Sequence, residues 1–234
     1  MHSVKAVVII FYFLLFASSQ ICAQTNFQSS AALLVIDVQN CFVDGGSLPV
    51  PSGVEVIPVI NRIAPFFQNI IVTQDWHPEG HISFASTHPG AIPFEAIKLP
   101  YGEQILWPDH CIQGSKDAAL HPELSLPNAQ LILRKGFHKD VDSYSAFMEA
   151  DRKTSTGLAA YLSDRQINTL YIVGLATDFC VAWTASDARE AGFNVYVVED
   201  ATRAITSGGS IESVWHNLNS KGIHRIQSDQ ISIR

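Results

Sequence analysis

The stretch Ala31-Ala32-Leu33-Leu34-Val35-Ile36-Asp37-Val38 decides the fold. Its unbroken apolar run has strand length and no polar alternation, which describes a strand buried on both faces, as in parallel sheets sandwiched between helices. The lone carboxylate near its end is costly to bury without a partner, so Asp37 marks a point where other polar groups must converge. Similar apolar runs recur at residues 69–73, 129–133, 169–173, 193–198 and 222–226. Between them lie helix-period faces: Val54, Val56, Ile57, Ile60, Ile63 and Ala64; Leu158, Tyr161 and Leu162; Val181, Ala182, Ala185 and Ala188; Ile211, Val214, Trp215 and Leu218. The pattern predicts one α/β domain over residues 30–234, a three-layer sandwich around a six-stranded, mostly parallel sheet. Residues 77–127 show little regular pattern, and an irregular stretch that long is usually functional.

Composition bounds the function. A chain of 234 residues with 47% hydrophobic content builds one sizeable core, and its formal charge of -7 suits neither nucleic acid nor an anionic membrane. The N-terminus has a short region ending at Lys5, an apolar run over residues 6–17 and small or polar residues through Ala23. Residues 1–23 therefore read as a cleaved secretory signal, the run being shorter than a spanning helix requires, and the mature protein is expected outside the cell and off the membrane. There is no Asn-x-Ser/Thr sequon.

In a sheet of this kind, ligands bind beyond the carboxyl ends of the strands. Asp37, Asp75, His77, Lys135 and Cys180 all fall there. Cys180 sits between a strand and a helix, where the helix dipole favours a thiolate; Asp37 is placed to take its proton and Lys135 to hold the anion. Lys135 beside Arg134 reads equally well as a solvated lysine. In the extended segment Asp75-Trp76-His77, the carboxylate and the imidazole point the same way, and His110 from the irregular stretch can add a third donor. One carboxylate and two imidazoles suit a divalent ion, Zn2+ first and Mn2+ or Fe2+ next, with coordination positions left open. His81 is a further ligand or a supporting partner.

The segments that carry this chemistry are Leu34 to Asn40, Gln74-Asp75-Trp76-His77-Pro78, Ile82-Ser83-Phe84-Ala85, Trp107-Pro108-Asp109-His110-Cys111, Val141 to Phe147 and Gly174 to Cys180. Together they resemble the nicotinamidases and pyrazinamidases of the isochorismatase-like cysteine hydrolases. The resemblance implies hydrolysis of nicotinamide through a Cys180 thioester, with Asp37 as base and the backbone N–H groups of Ala176 and Cys180 as oxyanion hole beside a cis peptide before Ala176. It also implies a metal on Asp75, His77 and His110 that holds the pyridine nitrogen, with Phe42, Trp107 and Tyr144 lining the ring pocket. The expected partner is the small molecule alone, with a homo-oligomer left open. The alternatives are a related enzyme acting on another amide and a secreted nicotinamide-binding protein without turnover. Many relatives carry Asp where this chain has Cys41. Cys41 and Cys111 should both lie near the pocket rim, which allows a disulfide; the favoured expectation is two separate thiols, Cys111 buried and Cys41 a neutral replacement.

Overall fold

The computed structural model describes residues 29–205 and 210–231, so the expected signal segment lies outside the described residues. Strands β1 (Ala31–Ile36), β2 (Asn69–Asp75), β5 (Leu131–Lys135), β6 (Thr169–Leu175), β7 (Asn194–Arg203) and β8 (His224–Ile226) form a sheet in the order β5-β2-β1-β6-β7-β8. Every neighbouring pair in it is parallel. Side chains alternate across a strand. Leu33 and Val35 of β1 therefore join one core with Val56, Ile57, Ile60 and Ile63 of helix α1 (Val56–Ile63). Ala32, Leu34 and Ile36 join a second core with α2 (Leu158–Asp164), α3 (Ala182–Glu190) and α4 (Ile211–Ser220). The three-layer sandwich expected from the sequence is the observed architecture.

The chain runs from β1 to β2 on one side and returns to β6 on the other, so the sheet reverses its winding at β1, and its carboxyl edge there is a ready crevice. Gly174 lets β1 and β6 approach at that edge. It pairs with Ile36 at a φ of 109°, and a Cβ on it would lie 2.0 Å from the Ile36 carbonyl oxygen.

Two features depart from expectation. The stretch 77–127 contains an antiparallel hairpin, β3 (Ala96–Leu99) and β4 (Gly102–Ile105), whose mostly exposed side chains give no apolar signal. Cys41 and Cys111, expected as separate thiols, are joined in a disulfide with Cα atoms 5.5 Å apart. Both loops converge on the crevice, so residues 70 apart in sequence meet there.

Replacing Gly174 by Ala should cost about 3 kcal/mol, combining strain at a positive φ with overpacking against β1. A urea-unfolding midpoint equal to that of the parent would contradict this.

Candidate active site

The crevice is assembled from strand ends. Asp37 follows β1 with a φ of 47° and is wholly buried. Its backbone N–H donates to Thr73 Oγ1 (3.1 Å), and that hydroxyl donates to Asp37 Oδ1 (2.6 Å). Gln39 ties the turn after β1 to the end of β2: its amide donates to the Asp75 carbonyl (2.9 Å) and accepts from the Asp75 N–H (2.8 Å).

Lys135, the last residue of β5, is 1% exposed, which removes the solvated-lysine reading. Its ammonium lies 2.8 Å from Asp37 Oδ2 and 2.7 Å from Asp75 Oδ1. It also donates to the Ser143 carbonyl (3.0 Å) and reaches Cys180 Sγ at 3.4 Å. A carboxylate oxygen of each aspartate and the sulfur lie within 4.8 Å of one another. Asp37 Oδ2 faces the Lys135 ammonium, and the Asp37 carboxylate lies near enough to Cys180 to receive the thiol proton.

The charges in this cluster oppose burial to different extents. Burial pushes the Asp37 carboxyl up, and Lys135 only partly reverses it. Burial also works against Asp75, but Lys135 and then His77 hold it well below the usual carboxylate range. For Lys135 burial is outweighed by Asp37 and Asp75, so the ammonium stays charged. Burial, with Asp37 and Asp75 adding to it against the opposing Lys135, pushes the Cys180 thiol well up. Burial and the two carboxylates thus oppose the thiolate that the helix end and Lys135 favour. Cys180 occupies a five-residue π turn, Thr177–Val181, that leads into α3, a local form often found at functional sites. The peptide Leu175–Ala176 is cis, as the resemblance implied.

Asp75 faces two ways. Its Oδ1 belongs to Lys135, while its Oδ2 lies 3.2 Å from His77 Nε2 and 3.5 Å from His110 Nε2. In both imidazoles Nδ1 meets a backbone carbonyl, Gly136 for His77 and Pro108 for His110, each at 2.8 Å. A carbonyl only accepts, so Nδ1 carries a hydrogen in each ring, and Nε2 is the nitrogen turned toward the Asp75 oxygen. A carboxylate oxygen flanked by two imidazole nitrogens is a donor set that suits a divalent cation, and the residues fit such an ion. Gly136 is required here, because a Cβ on it would lie 2.5 Å from His77 Cε1. His81 sits behind His77 with ring centroids 4.2 Å apart, held by Ser83 Oγ (2.7 Å), and its pKa is lowered to about 4, chiefly by burial. One nitrogen of His81 also lies within 4.8 Å of donor atoms of His77 and Asp142.

A narrow cleft opens above the sulfur, its apolar walls formed by Phe42, Trp107, Tyr144, Phe179, Leu48 and Ile205, with Asp75, His77, His110, Asp142, Ala176 and Cys180 also lining it. All three ring-pocket residues expected from the sequence lie in it. Phe179, Leu48 and Ile205 were missed as wall residues, though Phe179 directly precedes Cys180 and its position was a usable signal. Also missed was Gln104, the buried residue of the otherwise largely exposed β4, whose amide nitrogen lies 2.8 Å from Asp142 Oδ2 and 2.9 Å from the Tyr144 hydroxyl. Trp107 Nε1 donates to that same hydroxyl at 3.0 Å, so the hairpin anchors two walls.

The isochorismatase domain model matches residues 31–230, which span the sheet and the whole cleft. The chain belongs to the isochorismatase family. Among family members it is 58% identical over 205 residues to the nicotinamidase of Acinetobacter baylyi, covering 88% of this chain and 96% of that protein. The solved nicotinamidase/pyrazinamidase of Acinetobacter baumannii superposes with a TM-score of 0.86 at 56% identity, over 87% of this chain and 99% of that one. The pyrazinamidase of Pyrococcus horikoshii, solved in complex with zinc, is 34% identical with a TM-score of 0.69, over 85% and 99%.

Changing Lys135 to Met would leave Asp37 and Asp75 facing each other without their cation. We expect a loss of about 3–5 kcal/mol at neutral pH. Both carboxyls would then titrate above their unfolded values, so the loss should be full above those raised values and fade as pH falls below the unfolded ones. Urea unfolding at neutral and at acidic pH checks this; parental stability at neutral pH would contradict it.

Proposed function

We propose that this chain is a nicotinamidase, converting nicotinamide and water to nicotinic acid and ammonia in NAD salvage. The observation that carries this is the set of groups that meet in one cleft: a thiol with its base and cation, aromatic walls, and the nitrogen and oxygen donors of His77, His110 and Asp75. An aromatic amide matches that set, its carboxamide meeting the sulfur and its ring the aromatic walls of Phe42, Trp107, Tyr144 and Phe179. A divalent ion on Asp75, His77 and His110, with Zn2+ the first choice, supplies when bound an open position for the pyridine nitrogen.

The protein's own groups account for the proton traffic. Asp37 Oδ2 takes the Cys180 proton as the sulfur adds to the carboxamide carbon, and the Lys135 ammonium beside both offsets the negative charge on sulfur. The carbonyl π electrons move to oxygen, where the N–H groups of Ala176 and Cys180 would receive them. When the carbonyl re-forms, the C–N bond breaks and Asp37 returns its proton to nitrogen, releasing ammonia and leaving a thioester. Water then adds with Asp37 again as base, the C–S bond breaks, and the sulfur regains its proton. The raised carboxyl of Asp37 makes it a stronger base than an exposed carboxylate.

Nicotinamide should release ammonia with the purified protein. The Cys180→Ala variant should lose at least about a thousandfold in kcat while still binding nicotinamide. Benzamide, which lacks the ring nitrogen, should be a far poorer substrate, and chelation should remove activity that zinc restores. Equal turnover of the two amides, or full activity without metal, would refute the role given to the donor set.

We also propose export, on the strength of the apolar run before residue 24. Expressing cells should place the protein in the medium with a new N-terminus near Gln24. That form should titrate as one free thiol when denatured without reductant, because Cys41 and Cys111 are paired and Cys180 is free. Intact protein in the cytosol would contradict the proposal.

A further inference from the structure

The β3–β4 hairpin has almost no core of its own: the side chains of β3 are exposed or half-buried throughout, and the buried one of β4 is Gln104, at 1% exposure. A two-stranded ribbon is marginal by itself in water, and the side chain that this one commits inward is an amide, not a hydrophobe. The amide nitrogen lies 2.7 Å from the Ile105 carbonyl, 2.8 Å from Asp142 Oδ2 and 2.9 Å from the Tyr144 hydroxyl, and its two hydrogens are shared among these acceptors. The amide oxygen accepts from the Tyr101 hydroxyl at 3.1 Å. Only this orientation works, because the reverse would set the oxygen against a carbonyl and a carboxylate. The Trp107 indole, which can only donate, meets the same Tyr144 hydroxyl at 3.0 Å. Two N–H groups therefore face the two lone pairs of one phenol oxygen, and Tyr144 is a wall of the cleft. Elsewhere the Tyr144 ring meets Trp183, with centroids 5.7 Å apart, and Trp183 is itself 42% exposed, so deep packing does not pin that side.

We propose that Gln104 is a positioning residue that sets ring selectivity: with Trp107 it grips the Tyr144 hydroxyl, holds that wall in place and keeps the cleft to the width of a single flat ring. Gln104 touches no reacting atom and acts through Tyr144. Releasing the hydroxyl frees the wall, so a broader ring is admitted and a single ring is held less tightly. The inference rests on the nicotinamidase reading above and adds to it the size of ring that the cleft accepts.

Quinoline-3-carboxamide is the probe, since it keeps the pyridine nitrogen and carboxamide of nicotinamide in the same relation and adds one fused ring. The ratio of kcat/KM for nicotinamide to kcat/KM for the probe, taken on one preparation, does not depend on how much of that preparation is folded. The parent should favour nicotinamide. Gln104→Met, similar in length but without donors, should lower the ratio about tenfold and raise the nicotinamide KM about fivefold. Tyr144→Phe, which removes the gripped hydroxyl and keeps the ring, should lower the ratio to a similar extent. The double variant should fall no further, because both changes break one contact. Should Gln104→Met fail to fold, Tyr101→Phe frees the far end of the amide and should lower the ratio about twofold. A parental ratio in folded Gln104→Met, or in Tyr101→Phe where it stands in, would overturn the grip and leave the nicotinamidase reading standing. So would losses that multiply in the double variant, or a parent that turns over both amides equally. A parent that releases no ammonia from nicotinamide would remove that reading and the inference with it.

Discussion

The buried ammonium of Lys135 is the contact on which the site depends. A charge taken out of water demands compensation, and here it comes from two carboxylates, a backbone carbonyl and a sulfur supplied by four different segments. Asp37 arrives on β1, Asp75 on β2 and Cys180 from the turn after β6, so the cluster requires the strand order that sets β5, β2, β1 and β6 side by side. The close approach at Gly174 and the stitch from Gln39 to β2 serve the same convergence.

Because Asp75 shares one oxygen with Lys135 and turns the other to the histidines, the thiol end and the donor end are one electrostatic unit. Its two ends do different work. At the thiol end burial pushes up both the sulfur and the Asp37 carboxyl beside it, against the pull of Lys135. The disulfide consumes the other two described cysteines, leaving Cys180 without a competing partner among the described residues.

The sheet was legible because burial on both faces forces near-continuous apolar runs, and all six were visible, with ends within a few residues of those observed. The rule that ligands gather at strand carboxyl ends then singled out Asp37, Asp75, His77, Lys135 and Cys180, which the structure brings together. What stayed hidden has a physical reason. The β3–β4 hairpin is mostly solvated and carries no pattern, and Gln104 looks like any surface glutamine until Asp142 and Tyr144, about 40 residues away, close over it. The burial of Lys135 depends on partners that only the fold assembles. The bridge between Cys41 and Cys111 needed a distance that sequence spacing does not contain. The desolvation that opposes a thiolate at Cys180 likewise arises only once the fold buries its turn.

The central claim is that Cys180, with Asp37 and Lys135 beside it, carries the acyl group between amide and acid. The most direct test is rapid acid quenching of enzyme turning over nicotinamide, followed by mass spectrometry of the peptides. The account predicts a nicotinoyl group in place of one hydrogen on the peptide that holds Cys180, absent when substrate is omitted. Steady turnover with no acyl group on that peptide at any quench time, or an acyl group on another residue, would contradict it.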